Sequence, residues 1–337
     1  MLRVAVTNYL TPPARIEEDA LRGVATVECL QARAEDQLDE RFENADGLIV
    51  FHEIELTSRS LERLRQCRVL VRCGVGFDNV DLATAGRKGI YVCNVPDYGV
   101  DEVADHAIGL LIDCSRKITL VNRRLRTSML PWGYLSVQPV FRIAGATLGI
   151  VGLGRIGTAT ALRAKALHMN VIASDPYVPD GRDKALGVHM VDLDELLAES
   201  HVVSLHVPLN EETRGMIGRA QLSRMRRDSV LVNTARGAVV DTDALADAIE
   251  AGQIAGAGID VFPHEPPPSD DRLVRLWRQD APPRNIVLTP HSAFYSEQGL
   301  VEMRTKAARE VRRVLEGGAP RNCVNRSYLL PSGEQGP

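Results

Sequence analysis

An apolar run over residues 148–151 leads directly into three regularly spaced glycines. The run is typical of a buried strand, and the glycines fit the pattern G-x-G-x-x-G: Gly152, Gly154 and Gly157. A helical pattern then extends from Thr158 to Met169. This order predicts a strand, a tight turn and a helix, which is a unit of a doubly wound α/β domain.

Strand, turn and helix in this order predict a dinucleotide site, although glycines alone prove little in a chain that has 27 of them. Gly152 would allow the turn, Gly154 would let the backbone approach a pyrophosphate, and Gly157 would let the helix pack on the sheet. The N–H groups of the helix start would bind the phosphate charge. A second strand, Asn170–Ser174, ends at Asp175, whose carboxylate can accept both ribose hydroxyls and repels a 2′-phosphate. We therefore expect NAD rather than NADP.

Length and charge suit an ordinary two-domain protein. The 337 residues leave room for two domains. With 40 basic and 44 acidic residues the formal charge is −4, so we expect neither nucleic acid nor an anionic membrane as a partner. The first residues hold no leader-like apolar stretch and no run is long enough to span a bilayer, which predicts a cytoplasmic protein.

The cysteines show no C-x-x-C pair and no histidine at metal-ligand spacing. They are Cys29, Cys67, Cys73, Cys93, Cys114 and Cys323. Several lie in apolar strand-like runs, so we expect reduced core thiols in a reducing compartment and no metal site. The sequence leaves open whether Cys73 is reactive.

Short strand-like runs alternate with amphipathic helices, which predicts parallel sheets. The strands predicted before the glycine motif are Arg3–Thr7, Ala45–Phe51, Arg68–Arg72 and Ile90–Asn94. Those predicted after Asn170–Ser174 are Val202–His206, Ser229–Asn233, Gly258–Val261 and Ile286–Thr289. The helices between them include Leu193–Glu199 and Asp243–Ala251, the second of which Gly252 would end.

This pattern predicts an α/β protein of two doubly wound parallel-sheet domains, with the glycine motif in the second. A helix near Ser296–Leu315 has one apolar stripe and would cross back to the first domain. We therefore expect a discontinuous, flavodoxin-like substrate domain, residues 1–98 with 293–337, and a Rossmann NAD-binding domain, residues 99–292. Cofactor and substrate would meet in a cleft between them, whose closure would exclude water.

Arg236, Glu265 and His291 each follow a predicted strand, and carboxyl ends of strands in open parallel sheets face the ligand. Hydride transfer between a nicotinamide and a carbonyl needs a proton donor, a cation that binds an acid substrate and a group that tunes the donor. These three residue types supply them. Taken singly, each could equally be a surface charge, a turn residue or one of several loop histidines.

Four motifs occur in order between Ala45 and Asn325: Gly-Leu-Gly-Arg-Ile-Gly, Asn-Thr-Ala-Arg-Gly, Asp-Val-Phe-x-x-Glu-Pro and Thr-Pro-His. Together they resemble the D-isomer-specific 2-hydroxyacid dehydrogenases. Within that family the chain looks closest to the C-terminal-binding-protein branch, through residues 72–79, 93–96, 174–177 and 293–298.

The resemblance implies a role for each candidate residue. His291 would be the general acid in keto-acid reduction and the base in the reverse direction. Glu265 would orient the imidazole and favour its protonated form, and Arg236 would bind the substrate carboxylate and carbonyl. Beyond the three glycines, the implied cofactor contacts are Val75, Arg155, Ile156, Asp175, Val207, Pro208, Thr213, Thr234, Ala235, Asp260 and His291.

The resemblance also implies substrate contacts. The backbone of Gly74, Val75 and Gly76 would bind the carboxylate, and Arg72 is a second possible substrate cation. Phe294 stands where the C-terminal-binding-protein branch carries Trp. A smaller ring without an indole N–H leaves room for a different or bulkier substrate tail, so the resemblance does not fix the side-chain preference.

We expect an NAD-dependent reductase that converts a small 2-keto acid into the D (R) 2-hydroxy acid. One alternative is an NAD(H)-sensing scaffold, since eukaryotic members of the branch act in transcriptional repression, although the chain offers only a short tail, Pro331–Pro337. Another is phosphite or phosphonate-type oxidation, which the same three residues would serve. Glu265 argues against formate, because formate dehydrogenases carry glutamine there. Neither the particular acid nor the physiological direction follows from the sequence.

The resemblance further implies a homodimer, with residues 103–143 as its interface. Met129–Tyr134 is an apolar and aromatic stretch that suits a partner surface better than water. The alternative is a loop that folds against its own domain.

Overall fold

The computed structural model describes residues 1–279 and 283–329. The predicted tail Pro331–Pro337 lies outside the described residues. The chain divides into two compact units, Met1–Gly99 with Ser296–Pro337, and Val100–Tyr295.

The described residues form two fully parallel sheets, one in each unit. The first unit contains β1 (Leu2–Val6), β2 (Ala25–Cys29), β3 (Gly47–Val50), β4 (Val69–Arg72) and β5 (Tyr91–Asn94). The second contains β6 (Thr147–Val151), β7 (Asn170–Ser174), β8 (His189–Met190), β9 (Val202–Leu205), β10 (Val230–Asn233), β11 (Gly256–Ile259) and β12 (Ile286–Leu288).

Helices cover the connections between these strands. In chain order they are α1 (Arg15–Leu21), α2 (Glu40–Glu43), α3 (Ser58–Leu61), α4 (Leu82–Arg87), α5 (Val100–Arg116), α6 (Ile118–Thr127), α7 (Arg155–Ala166), α8 (Arg182–Leu186), α9 (Leu193–Glu199), α10 (Arg219–Arg224), α11 (Thr242–Glu250), α12 (Arg272–Arg278) and α13 (Glu297–Leu315). No described helix is both long and apolar enough to cross a membrane.

In the first unit the strand order is β2-β1-β3-β4-β5, the flavodoxin-like order. The inner strands β3 and β4 are buried along their whole length, which is why their sequences are continuous apolar runs rather than alternating ones. Helix α13 belongs to this unit, as its apolar stripe predicted. It begins after Ser296, whose hydroxyl accepts a hydrogen bond from the Gly299 N–H at 2.8 Å, and it buries Met303, Ala307 and Val311.

In the second unit the strand order is β12-β11-β10-β9-β6-β7-β8. The first strand of this sheet in chain order is β6. Strands β7 and β8 follow on one side of it, and the chain then crosses to β9 on the other side. The topological switch point therefore lies between β6 and β9, which is where open α/β sheets bind ligands. The predicted fold class, two doubly wound parallel-sheet α/β domains, is confirmed.

Boundaries and edges are where the sequence predictions need correction. The helix predicted from Thr158 to Met169 runs from Arg155 to Ala166, because Gly157 lies inside the helix rather than before it. The predicted strand Gly258–Val261 is displaced to Gly256–Ile259. Strands β2 and β8 were not predicted at all. Both lie at sheet edges and keep partly exposed polar residues, so their sequences lack an apolar run.

Candidate active site

The loops at one edge of the second sheet carry most of the predicted site residues. Strands β6, β7, β9, β10, β11 and β12 are mutually parallel, so their carboxyl ends meet at this edge. These ends lead into the glycine turn, Asp175, the Val207–Thr213 loop, Thr234–Arg236, Asp260–Glu265 and His291. The topology alone therefore collects these residues, whatever their separation in sequence.

Each glycine of the turn meets a different steric requirement. Gly152 has φ +93°, and a Cβ there would lie 2.8 Å from the His206 carbonyl oxygen. A Cβ at residue 157 would lie 2.0 Å from the Gly152 carbonyl oxygen. By contrast, a Cβ at residue 154 would meet no atom within 4 Å. The first and third glycines are thus needed by the fold, whereas the second opens onto free space at the start of α7.

This free space fits the pyrophosphate of a dinucleotide. Gly154 is the N-terminal cap residue of α7 and no side chain caps that helix start, so the first N–H groups of α7 point toward the open side of the turn. Arg155 and Ile156 form the first helical turn beside it. Across the switch point, Thr234 is buried at the end of β10, and its hydroxyl has no hydrogen-bond partner among the described residues. Thr234 ends the second strand from β6 at the same sheet edge, and an orphan buried hydroxyl there is a group that a bound polar ligand would complete.

Asp175 ties the end of β7 to the glycine turn. One carboxylate oxygen accepts a hydrogen bond from the Leu153 N–H at 2.8 Å, and the other accepts one from the Tyr177 N–H at 2.9 Å. The Tyr177 hydroxyl donates to Glu212 in the loop after β9, and this bond raises the pKa of Tyr177. The negative charge therefore stands beside the turn at the position where we expected the ribose.

The loop after β9 is ordered by its own side chains. The Thr213 hydroxyl donates to the Pro208 carbonyl at 2.6 Å, and the Thr213 N–H donates to the Asn210 side chain at 2.9 Å. Val207 packs against the core of the unit. At the start of this loop burial lowers the pKa of His206 to about 4, so this imidazole is neutral at pH 7 and contacts the Ser204 hydroxyl at 2.9 Å.

His291 and Glu265 form a close pair. Nδ1 of His291 lies 2.6 Å from Oε2 of Glu265, and the other carboxylate oxygen of Glu265 accepts from the Phe262 N–H at 2.9 Å. The two side chains are 21% and 32% exposed. Because Glu265 binds Nδ1, a proton exchanged with a ligand would belong to Nε2. His291 itself has φ +50°, a left-handed conformation that is uncommon outside glycine and that recurs at functional sites.

Asp260 fixes the backbone that carries His291. Its buried carboxylate accepts from the Thr289 hydroxyl at 2.6 Å, the Ser292 N–H at 3.0 Å and the Ala293 N–H at 3.1 Å. The His291 N–H donates to the Asp260 carbonyl at 2.8 Å. Both the side chain and the main chain of Asp260 therefore set the conformation of the histidine loop.

Arg236 stands at the end of β10, next to β11 and then β12 in the sheet. Asn233 clamps the loop: its side-chain oxygen accepts from the Ala235 N–H at 3.0 Å and its amide donates to the Arg236 carbonyl at 2.9 Å. The Arg236 guanidinium donates to the Ala235 carbonyl at 2.7 Å. These bonds fix the backbone from which the Arg236 side chain projects. Glu265 follows the neighbouring strand β11 and His291 follows β12, so the three side chains start from neighbouring strand ends.

The predicted substrate loop of the first unit, residues 74–76, follows β4. Gly74 has φ +148°, and a Cβ there would lie 1.6 Å from Nη1 of Arg72, so the buried guanidinium packs directly against this glycine. The Asn94 amide donates to the Val75 carbonyl at 2.6 Å, and the Val95 N–H donates to the Gly74 carbonyl at 3.0 Å. The structure thus brings Arg72 and Gly74 together.

The structure answers the question that the sequence left open for Cys73. Burial raises the pKa of Cys73 to about 12, and its side chain is almost fully inaccessible. Because the thiolate is the reactive form and this thiol is buried, Cys73 is inert toward reagents in solution at pH 7.

Phe294 contacts the imidazole edge-on. The ring centroids of Phe294 and His291 are 6.1 Å apart at an interplanar angle of 85°. The Phe294 ring therefore stands beside the histidine, where it can form part of a pocket wall.

Comparison with known proteins identifies the family. The model described as "D-isomer specific 2-hydroxyacid dehydrogenase, NAD binding domain" matches residues 108–293, which is more than half of the chain. The matched stretch includes the glycine turn, Arg236, Glu265 and His291. The chain belongs to the D-isomer-specific 2-hydroxyacid dehydrogenase family. The dehydrogenase uses NAD and acts on the CH–OH group of its donor.

Two curated relatives and one solved structure illustrate the breadth of this family. The dehydrogenase is 40% identical to a glyoxylate reductase of Korarchaeum cryptofilum over 86% of either chain. It is 34% identical to a D-3-phosphoglycerate dehydrogenase of Archaeoglobus fulgidus over 91% of its own length, but it spans only 56% of that relative. The crystal structure of D-lactate dehydrogenase from Aquifex aeolicus complexed with NAD and lactic acid matches with a TM-score of 0.84 and 29% identity, over 93% of this chain and 96% of that one.

Sequence reasoning missed two supporting residues of the dehydrogenase. His106 of α5 contacts the Thr289 hydroxyl at 2.9 Å and so extends the network that begins at Asp260. Asn233 closes the loop that carries Arg236. A single histidine within a helix gives no spacing signal, so His106 could not have been found from the sequence. Asn233 belongs to the Asn-Thr-Ala-Arg-Gly motif, but the motif alone does not show that its side chain clamps the loop. Among the described residues, no group of three or more His, Cys, Asp or Glu side chains could hold a metal ion.

Proposed function

We propose that this dehydrogenase reduces a small 2-keto acid to the D (R) 2-hydroxy acid. The observation that supports this proposal most strongly is the pairing of His291 with Glu265 at 2.6 Å, on strand ends that adjoin the loop of Arg236. A proton donor, its partner carboxylate and a guanidinium on adjacent strand ends are what the reduction of a 2-keto acid requires.

In the proposed reaction Arg236 binds the substrate carboxylate, because a guanidinium can donate two parallel hydrogen bonds to that group. NADH, when bound, supplies the hydride to the carbonyl carbon. Nε2 of His291 donates the proton to the carbonyl oxygen, and Glu265 accepts the Nδ1–H bond and so orients the ring and stabilises its protonated form. In the reverse direction the neutral imidazole accepts the hydroxyl proton. The predicted substrate contacts at Arg72, Phe294 and residues 74–76 are part of the same proposal.

The cofactor would lie across the switch point of the second sheet. The N–H groups at the start of α7 would bind its pyrophosphate, Asp175 its ribose and the Thr234 hydroxyl one further polar group. The remaining contacts that we propose are Val75, Val207, Pro208, Thr213, Ala235 and Asp260.

The test is NADH oxidation by the purified protein with a panel of 2-keto acids, from glyoxylate to branched, thiomethyl and phosphonate-bearing tails. We expect rapid turnover of one member, a loss of about 10²- to 10⁴-fold in kcat for His291→Ala, and wild-type rates for His264→Ala. His264 is a suitable control because it lies in the same loop as Glu265 and is exposed.

The same panel separates the alternatives. Tight NADH binding without turnover of any member would contradict the proposal and favour the NAD(H)-sensing scaffold of the C-terminal-binding-protein branch. NAD⁺ reduction with phosphite, which Arg236, Glu265 and His291 could also serve, would contradict it in favour of that oxidation.

We further propose that the protein is a cytoplasmic homodimer, with residues 103–143 at its interface. Trp132, Leu130 and Tyr134 are 71%, 75% and 75% exposed, so their own unit leaves these three side chains largely uncovered. Clustered apolar side chains of this size in water are typical of a protein interface. The six free cysteines support a reducing compartment. Light scattering of the wild type and of Trp132→Glu tests the dimer, which we expect the charge to dissociate.

A further inference from the structure

Cys93 and Cys323 face each other at the β5 edge of the first sheet. Strand β5 is the outer strand, and residues 322–324 run antiparallel to it with Cys323 opposite Cys93. The Val324 N–H donates to the Val92 carbonyl at 2.8 Å, and the Asn94 N–H donates to the Asn322 carbonyl at 3.3 Å. Since these bonds lie on either side of the cysteines, the two form a non-hydrogen-bonded pair.

This register gives the backbone spacing of a disulfide. In a non-hydrogen-bonded antiparallel pair the Cα atoms are about 4.5 Å apart and the two side chains project from the same face. A disulfide joins residues whose Cα atoms are about 4.4–6.8 Å apart. The strands therefore need no large movement to place the two sulfurs within bonding range.

Asn325 keeps Cys323 in this register. Its buried side chain accepts from the Val92 N–H and donates to the Ile90 carbonyl, each at 2.9 Å. The Cys323 thiol donates to the same Asn325 side-chain oxygen at 3.3 Å. Two backbone bonds and one buried amide thus fix the segment to β5, so the pairing of the cysteines is not a chance approach of a loose tail.

The two thiols differ in access to solvent. Cys93 is completely buried, and burial together with the nearby Cys323 raises the pKa of its thiol. Cys323 is only half-buried. An oxidant in solution would therefore reach Cys323 first, with Cys93 directly behind it.

We propose that Cys93 and Cys323 are a reversible redox pair, oxidised to a cross-strand disulfide by hydrogen peroxide or an organic peroxide. The Cys323 thiolate attacks one peroxide oxygen, which forms a sulfenic acid and releases hydroxide or the corresponding alkoxide. The Cys93 thiol then attacks the sulfenic sulfur, so the S–S bond forms and water leaves. The two thiols lose two electrons in total, which reduce the peroxide O–O bond. A dithiol reductant reverses the step by thiol–disulfide exchange.

Such a disulfide would join the C-terminal segment to the end of β5 that supports the loop of residues 74–76. The residues after Cys93, Asn94 and Val95, both donate to carbonyls of this loop. The proposal nevertheless stands independently of the proposed function, since it concerns two thiols that the reduction does not use.

The experiment treats the full-length, fully reduced protein with hydrogen peroxide, blocks the remaining thiols and measures intact mass and non-reduced peptide maps. We expect two of the six thiols to disappear, the mass of the unblocked chain to fall by two hydrogen atoms, and one linked peptide pair to contain Cys93 and Cys323. Dithiothreitol should restore all six thiols.

Two variants make the test specific. Cys323→Ser should abolish the link, whereas Cys29→Ser should retain it. Cys29 is the matched control because it is also half-buried, but its ladder partner is Val6. The proposal is wrong if all six thiols survive peroxide, if Cys323 proceeds to a sulfinic acid without a link, or if the link joins other cysteines or two chains. Because the wild-type map decides these outcomes, the result does not depend on whether a Cys93 variant folds.

Discussion

Nδ1 of His291 lies 2.6 Å from Oε2 of Glu265, and the second oxygen of that carboxylate is bound by the Phe262 N–H. The carboxylate is therefore held in place by its own loop and is presented to the imidazole in one orientation. A carboxylate at this distance stabilises the charged imidazolium and fixes which nitrogen exchanges a proton with the substrate.

Replacing Glu265 with Gln should impair reduction. The variant keeps the shape of the side chain and a hydrogen bond to the ring, but it removes the carboxylate charge that faces Nδ1 of His291 at 2.6 Å. We expect kcat to fall on the order of 10²-fold, because this charge assists proton transfer from the ring. Steady-state kinetics of the wild type and of Glu265→Gln check this, and an unchanged kcat would show that the charge is not needed.

The glycine turn offers a matched pair of substitutions. Gly154→Ala places its Cβ in open space, so we expect a normally folded protein whose NADH binding is weakened because the methyl group occupies the pyrophosphate position. Gly157→Ala places its Cβ 2.0 Å from the Gly152 carbonyl oxygen, so we expect losses of both stability and binding. The packing of α7 on β6 would have to open, at a cost of about 1–3 kcal/mol.

Calorimetric NADH binding and thermal unfolding distinguish the two variants. If Gly154→Ala bound NADH as tightly as the wild type, the pyrophosphate would not lie over that residue. If Gly157→Ala kept the wild-type melting temperature, the close approach of α7 to β6 would not be required.

Asp175 should set the choice between NADH and NADPH. Its carboxylate accepts from the Leu153 and Tyr177 N–H groups and would repel the 2′-phosphate of NADPH. We expect Asp175→Asn, which keeps a hydrogen-bond acceptor, to narrow the preference for NADH by about 10-fold or more, as the loss of one like-charge repulsion of roughly 1.4 kcal/mol would do. Asp175→Ala should also weaken NADH binding, because the ribose acceptor is lost. The ratio of kcat/KM for the two cofactors measures this, and an unchanged ratio in Asp175→Asn would show that the charge does not discriminate.

The sequence was most informative where a requirement is local. The glycine turn, Asp175 and the polar residues after strand ends could be predicted because each follows an apolar run by a few residues, and the parallel topology then gathers them at one sheet edge. The predicted bounds of strand β7, Asn170–Ser174, match the observed ones, because a short apolar run between two helices has room for only one short strand.

Contacts between distant residues were not predictable in the same way. His106 and Thr289 lie 183 positions apart, and only the packing of α5 brings them together. The resemblance implies Asp260 only as a cofactor contact, whereas its carboxylate also accepts three hydrogen bonds that fix the histidine loop, because a buried charge requires local donors. The pairing of Cys93 with Cys323 depends on the register of a short antiparallel segment, which no pattern in residues 322–324 reveals.

His206 should make the stability of the second unit depend on pH. Burial lowers its pKa from 6.5 to about 4 in the folded chain, so the unfolded chain binds a proton more readily. The free energy of unfolding is therefore highest above pH 6.5, where the imidazole is neutral in both states. It falls as the pH drops toward 4, by on the order of 2–3 kcal/mol. We expect His206→Gln, which can still bond the Ser204 hydroxyl, to lose less stability over this range. Urea unfolding at intervals from pH 7 to 4 checks this, with His189→Gln on exposed β8 as a control that should follow the wild type. Parallel pH curves for the wild type and His206→Gln would show that the imidazole takes up a proton without unfolding.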